Sequence, residues 1–132
     1  MQKFIEADLN RLQVLFLSKI NDAELSVLYQ MAEVLAYPSV FEGFGLPVAE
    51  AQASGCPVIT SNISSLPEAG GDAAMYINPE NPAEIGSALE TLLADNELRE
   101  SLIVKGKANA ERFRPENFAS QLKQLYNSLL ND

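Results

Sequence analysis

Two carboxylates, Glu42 and Glu50, flank a loop that reads Glu42-Gly43-Phe44-Gly45-Leu46-Pro47. A carboxylate accepts hydrogen bonds and donates none, so it suits vicinal hydroxyls such as those of a ribose or a hexose. Gly43 and Gly45 remove side chains where a ligand can touch backbone. A helix opening at Pro47 directs free N–H groups and the positive end of its dipole back at this loop, which favours an anion. A ligand with hydroxyls at both ends and phosphate in the middle fits such a layout, and a nucleotide sugar is one. Each residue also has a plainer reading. An acid in the first turn of any helix, as Glu50 would be, stabilises it by about 0.3–1 kcal/mol. Glu42 can be a solvated loop acid, and the glycines can serve a turn with positive φ. Phe44, between two glycines, reads as an exposed aromatic that wants a ligand or a covering domain. Ser39, at the start of the loop, reads either as a ligand contact or as a loop residue.

The elements that must position these residues form one strand–loop–helix–strand unit. A short apolar run, Val34 to Tyr37, stops at Pro38. Proline's fixed φ suits the first turn of a helix, so Pro47 to Ser54 is expected to be helical, with Gly55 as its stop. Pro57 restarts the chain as a second apolar run, Val58 to Thr60. Parallel sheets bind ligands at the loop-to-helix junctions beyond their carboxyl ends, and the two glutamates lie at such a junction.

The string Pro38-Ser39, Glu42-Gly43-Phe44-Gly45-Leu46-Pro47, Glu50-Ala51, Gly55 and Pro57-Val58-Ile59 resembles the signature of group 1 glycosyl transferases. The hallmark of that family is a pair of glutamates with seven residues between them, as Glu42 and Glu50 have. The likeness runs from about Val14 to Tyr126. It implies a retaining enzyme of GT-B architecture, with two Rossmann-like domains and the active site between them. By resemblance Glu50 holds the ribose hydroxyls of a nucleotide diphosphate sugar. Glu42 is the catalytic residue and holds the donor sugar through a ring hydroxyl. Gly43, Phe44, Gly45 and Leu46 offer backbone N–H groups to sugar and phosphate. In this family transfer is drawn without an enzyme nucleophile, so stabilising the leaving diphosphate is the protein's main contribution. Family members often carry a glycine after the first strand, where this chain has Ser18-Lys19.

Composition narrows the classes. With 47 % hydrophobic and 20 % charged residues the chain can build a core of the ordinary soluble kind. It has no histidine, which removes the commonest general base and metal ligand. There is no Asp-x-Asp and no acidic cluster with magnesium spacing, so neither metal nor cofactor is expected. Cys56 is the single cysteine, which excludes an internal disulfide, and it reads as a small core residue. The net charge of −9 argues against nucleic acid and anionic membranes. No apolar run reaches the length of a membrane span, and residues 1–10 lack the apolar region of a signal peptide. A cytoplasmic location is expected, or a peripheral one at the inner membrane face for the full-length enzyme. None of the nine basic residues lies between Ile20 and Leu98, so any cation near the loop must come from elsewhere, with Lys19 a candidate.

The remaining chain completes the expected architecture. Residues 1–12 are a polar lead-in, and Gln13 to Leu17 reads as a first short strand. Asn21 or Asp22 can cap a helix carrying Leu25, Leu28, Tyr29 and Ala32. After Thr60 a polar loop, Ser61 to Ser65, lies at a strand's carboxyl end, with Asn62 and Glu68 read as surface residues. Leu66 to Gly70 is a brief helix and Ala73 to Ile77 a strand. Asn81-Pro82 opens a helix with Ile85, Leu89, Leu92 and Leu93 on one face. Asp95 or Asn96 caps the next helix, to about Arg112, and a last helix spans Glu116 to Leu130. The fold class is therefore α/β, a Rossmann-like parallel sheet of about four short strands with flanking helices and a helical C-terminal tail. Residues 1–132 are expected to be a truncated C-terminal, nucleotide-sugar-binding domain. The acceptor would bind a missing N-terminal domain, the piece alone would be inactive, and its uncovered faces would favour self-association. Two alternatives stay open: a non-catalytic nucleotide-sugar or phosphate-binding module, and a small receiver-like signalling domain. The latter needs a phosphorylatable aspartate at a strand end, where this chain has Pro38, Ser61 and Asn78.

Overall fold

A computed structural model describes residues 14–130 of the chain. In order the elements are α1 (Asp22–Met31), β1 (Leu35–Tyr37), α2 (Leu46–Ser54), β2 (Val58–Ser61), α3 (Leu66–Gly70), β3 (Ala74–Ile77), α4 (Pro82–Ala94), α5 (Asn96–Ala110), a 3-10 turn (Glu111–Phe113) and α6 (Pro115–Leu130). The strands form a parallel sheet in the order β1-β2-β3, with Tyr37 opposite Thr60 and Thr60 opposite Tyr76. Every residue of β2 is buried, as expected of the middle strand of a parallel sheet covered on both faces.

Alternation along β2 divides the core. Val58 joins Tyr29, Val48, Ala51, Cys56, Leu66 and Ala69 on the side of α1, α2 and α3. Ile59 joins Ile77, Ala88, Leu92 and Leu102 on the side of α4 and α5. Cys56 is a core residue, as its type suggests. The helix starts follow their cap chemistry. Asn21 and Glu24 make a reciprocal capping box on α1, with side-chain-to-backbone bonds of 3.0 and 2.9 Å. Asn81 and Asp95 cap α4 and α5 in the same way from one side.

Three expectations change. The strand expected at Gln13 to Leu17 is not one over its described part: Val14–Leu17 is irregular and exposed, and three strands stand among the described residues where about four were expected. A short β-prone run becomes a strand only where its N–H and C=O groups find a ladder, and these residues meet none among the described ones. Leu93 faces solvent at 52 % exposure; Ala88 takes its place on the buried stripe of α4. The helix α2 begins at Leu46, one residue before Pro47, because Gly45 supplies the turn. The lead-in at residues 1–12 lies outside the described residues. No helix among those described is long and apolar enough to cross a membrane.

Candidate functional site

The loop 38–45 leaves the carboxyl end of β1 and is fastened to β2 and the turn after it by four hydroxyls. Thr60 donates to the Tyr37 carbonyl at 3.0 Å, and Ser61 to the Ser39 carbonyl at 2.6 Å. Ser64 and Ser65 donate to the Glu42 carbonyl at 2.8 and 3.0 Å, and the Glu42 N–H donates to Ser64 at 3.3 Å. Ser61 to Ser65 reads in the sequence as a polar loop beside the crevice, and Thr60 as the end of the strand before it. Their use as a set of fasteners depends on which hydroxyl meets which carbonyl. Ser39 itself closes a small turn, its hydroxyl donating to the Phe41 carbonyl at 3.1 Å.

Each glutamate receives a tyrosine hydroxyl. Tyr37 donates to Glu42 Oε1 at 2.5 Å, and Tyr29 to Glu50 Oε2 at 3.5 Å. Sequence reading placed both tyrosines on their elements but paired neither with an acid. The Tyr37 bond, helped by Ser39, holds the Glu42 carboxyl below the usual carboxylate range, since acceptor bonds favour the ionised form. The same bond pushes the Tyr37 phenol up to about 12. Burial, and then the charge of Glu50, push the Tyr29 phenol up.

Between the glutamates the backbone is open to a ligand. The N–H groups of Gly43, Phe44, Gly45 and Leu46 have no hydrogen-bond partner among the described residues, whereas Val48 and Ala49 already donate to the Gly45 carbonyl. Gly45 sits at φ 100 as the N-cap of α2, and a Cβ there would come within 2.8 Å of Leu66 Cδ2. Gly43 differs: its φ is not in the left-handed region, and a Cβ would meet nothing within 4 Å. Nothing among the described residues demands a glycine at Gly43.

The flanks bring in distant parts of the chain. Phe44 is half-buried and meets Phe113 edge-on, with centroids 5.2 Å apart, so its ring is covered from within and is not the exposed aromatic expected. Glu50 stands on the rim of two grooves. One, of about 310 Å³, lies between α1 and α2 and includes Leu25, Ser26 and Tyr29. The other, of about 300 Å³, runs between α2 and the 3-10 turn and includes Leu46, Phe113 and Arg114. Two cations that reach α2 come from the far end of the sequence: Arg114, ion-paired to Glu111 at 2.8 Å and lining the second groove, and Lys107, whose Cε packs over Gly55. Lys19 instead lines a groove of about 620 Å³ with Ile20, Val27 and Leu28, and takes φ 59, the conformation a glycine would adopt freely. Asn62 and Glu68 are exposed, as expected.

The site can thus accept hydroxyls at two carboxylates and offer N–H groups to an anion between them. The family model described as "Glycosyl transferases group 1" matches residues 1–109. The chain is 39 % identical over 114 residues to the O-antigen chain mannosyltransferase B of Escherichia coli, covering 86 % of this chain and 30 % of that protein. It is 38 % identical over 118 residues to the D-inositol 3-phosphate glycosyltransferase of Corynebacterium urealyticum, covering 88 % of this chain and 28 % of that protein. Sucrose-phosphate synthase from Thermosynechococcus elongatus superimposes with a TM-score of 0.81 at 29 % identity, over 98 % of this chain and 33 % of that one. That likeness bears out the Rossmann-like fold class. The chain therefore spans about a third of the length of the proteins it matches.

Proposed function

Because this chain belongs to the group 1 glycosyl transferase family, we propose that it is the donor-binding part of a retaining glycosyltransferase. The enzyme moves a sugar from a nucleotide diphosphate donor to an acceptor hydroxyl, in the synthesis of a cell-surface polysaccharide or glycolipid. One observation carries the reading: the four N–H groups from Gly43 to Leu46, at the start of α2 and without a partner among the described residues, lie in sequence between two tyrosine-bound carboxylates. Anionic oxygens of the diphosphate take the N–H groups and the positive end of α2. Glu50 accepts from the ribose hydroxyls and Glu42 from a hydroxyl of the sugar. As the glycosidic bond to the diphosphate breaks, negative charge grows on the leaving oxygen, and donors already aimed at it stabilise the transition state without reorganising. No protein nucleophile is needed for the acceptor to attack from the face the diphosphate leaves. Residues 1–132 contribute the donor side, and the acceptor is held by a further domain.

Calorimetry of the chain with GDP-mannose and UDP-glucose tests this. One of the two is expected to bind, and Glu50→Ala to weaken it roughly tenfold, the cost of unpairing a sugar hydroxyl. Equal affinity in wild type and Glu50→Ala overturns the assignment. The chain alone is expected to turn over neither donor.

A further inference from the structure

We propose that Ser64 and Tyr37 are positioning residues for Glu42, one fixing its peptide and the other its carboxylate. The proposal rests on the reading of Glu42 as a donor-sugar ligand.

Ser64 is the unusual member of the pair. Its backbone takes φ 59, a region that residues other than glycine, asparagine and aspartate rarely enter. A glycine would adopt that conformation without strain, yet could make neither of the bonds Ser64 makes. Its hydroxyl donates to the Glu42 carbonyl at 2.8 Å and accepts from the Glu42 N–H at 3.3 Å, so it clamps both polar groups of one residue. Ser65 adds a second donor to the same carbonyl at 3.0 Å. Ser64 is exposed, so burial does not explain a strained serine there. Strain of this kind persists where the surroundings hold it, and it marks sites whose geometry matters.

Tyr37 acts on the other end of Glu42. Its ring packs against the core on the side of α1 and α2, and its backbone is in register with Thr60, so a rigid strand carries the hydroxyl. That hydroxyl engages Oε1 at 2.5 Å. Among the described residues no ion pair reaches Glu42; the hydroxyls of Tyr37 and Ser39 are the groups that lower its carboxyl below the ordinary value. A carboxylate held at its peptide and at one oxygen loses little freedom when a sugar hydroxyl arrives, and its ordering cost is met on folding.

The test uses the full chain with Tyr37→Phe, Ser64→Gly, Ser64→Ala and Glu42→Gln. Carbon-detected NMR follows the Glu42 carboxyl through its titration, calorimetry measures affinity for whichever of GDP-mannose and UDP-glucose the wild type binds, and thermal melts monitor folding. In Tyr37→Phe the Glu42 carboxyl is expected to titrate at higher pH, with affinity down roughly tenfold. Ser64→Gly relieves the strain, so its melting temperature is kept or raised while affinity falls as in Ser64→Ala. An unchanged Glu42 titration in Tyr37→Phe, or wild-type affinity in Ser64→Gly, overturns the positioning role. Wild-type affinity in Glu42→Gln overturns the donor-binding reading instead. Lost affinity there, beside wild-type affinity in both Tyr37→Phe and Ser64→Gly, overturns the positioning alone.

Discussion

Glu42 and Tyr37 form a linked acid–base pair whose two protonation equilibria are pulled apart. The folded-state carboxyl lies below its ordinary value, so its stabilising contribution is present above the unfolded carboxylate range. It is lost as pH falls through the lowered folded value. The phenol behaves oppositely. Its folded value, about 12, stands above the ordinary 10.0, so its contribution is fully present below about pH 10 and is lost as pH rises towards about 12. The urea midpoint of wild type minus that of Tyr37→Phe is therefore expected to be flat through neutral pH and to shrink above about pH 10. The difference removes the titrations of Tyr29 and Tyr76, which both variants share. A difference that stays flat to about pH 12 contradicts the hydrogen bond. This pair escaped sequence reading because the five-position step from Tyr37 to Glu42 crosses an irregular loop, where no periodicity tells which side chains meet.

The helix α2 is the element on which the site turns, and both of its ends rely on glycine. At its C-terminus Gly55 takes φ 81, its N–H donates to the Gln52 carbonyl at 3.1 Å, and Cys56 N–H donates to the Ala51 carbonyl at 2.9 Å, the paired bonds of a Schellman motif. Lys107, arriving from α5, lies over that end, where a cation complements the helix dipole. The middle of α2 is locked by a buried amide pair. Asn109 donates to Gln52 Oε1 at 2.7 Å, and Gln52 donates to the Gly70 and Ala73 carbonyls at 2.9 and 3.2 Å. At the N-terminus the two loop glycines separate by role. Gly45→Ala forces an alanine into φ 100 and drives its Cβ onto Leu66, at an expected cost of roughly 2–4 kcal/mol. Gly43→Ala meets open space and is expected to leave stability within about 0.5 kcal/mol while weakening donor binding. Urea unfolding and calorimetry of the two variants check this. A Gly43→Ala chain that binds donor normally would show that the gap beside Gly43 admits no ligand.

At the scale of the molecule, much apolar surface remains uncovered among the described residues. Phe118, Leu122, Leu125, Tyr126 and Leu129 form the exposed stripe of α6, and Leu15 and Phe16 are exposed at 81 % and 76 %. The strand β1 pairs only with β2 among the described residues, so its outer edge carries unpaired N–H and C=O groups. The net charge of −9 opposes association of such faces, and salt screens it. Light scattering is expected to show the chain as a monomer at low salt and protein concentration, and as dimers or larger species when both rise. A monomer at high concentration in both salts would contradict this.

The sequence by itself determined the parallel α/β unit, the caps at Asn81 and Gly55, a cap for α1 at Asn21 or Asp22, the burial of Cys56 and the place of the glutamate loop. These follow from short-range causes: periodicity, cap chemistry and the backbone freedom of glycine and proline act within a few residues. The tertiary structure alone decided what depends on contacts across the fold. It left Val14–Leu17 without a ladder among the described residues, covered Phe44 with Phe113 from nearly seventy positions away, and carried Lys107 and Arg114 to an α2 whose own neighbourhood in sequence holds no basic residue. It also turned the hydroxyls of Thr60, Ser61, Ser64 and Ser65 onto the loop of β1. Parallel pairing sets β1 and β2 side by side in one direction, so the residues after both strands emerge at the same edge of the sheet. Residue types supply the hydroxyls; only the parallel register of β1 and β2 brings them within bonding distance of the loop's backbone carbonyls.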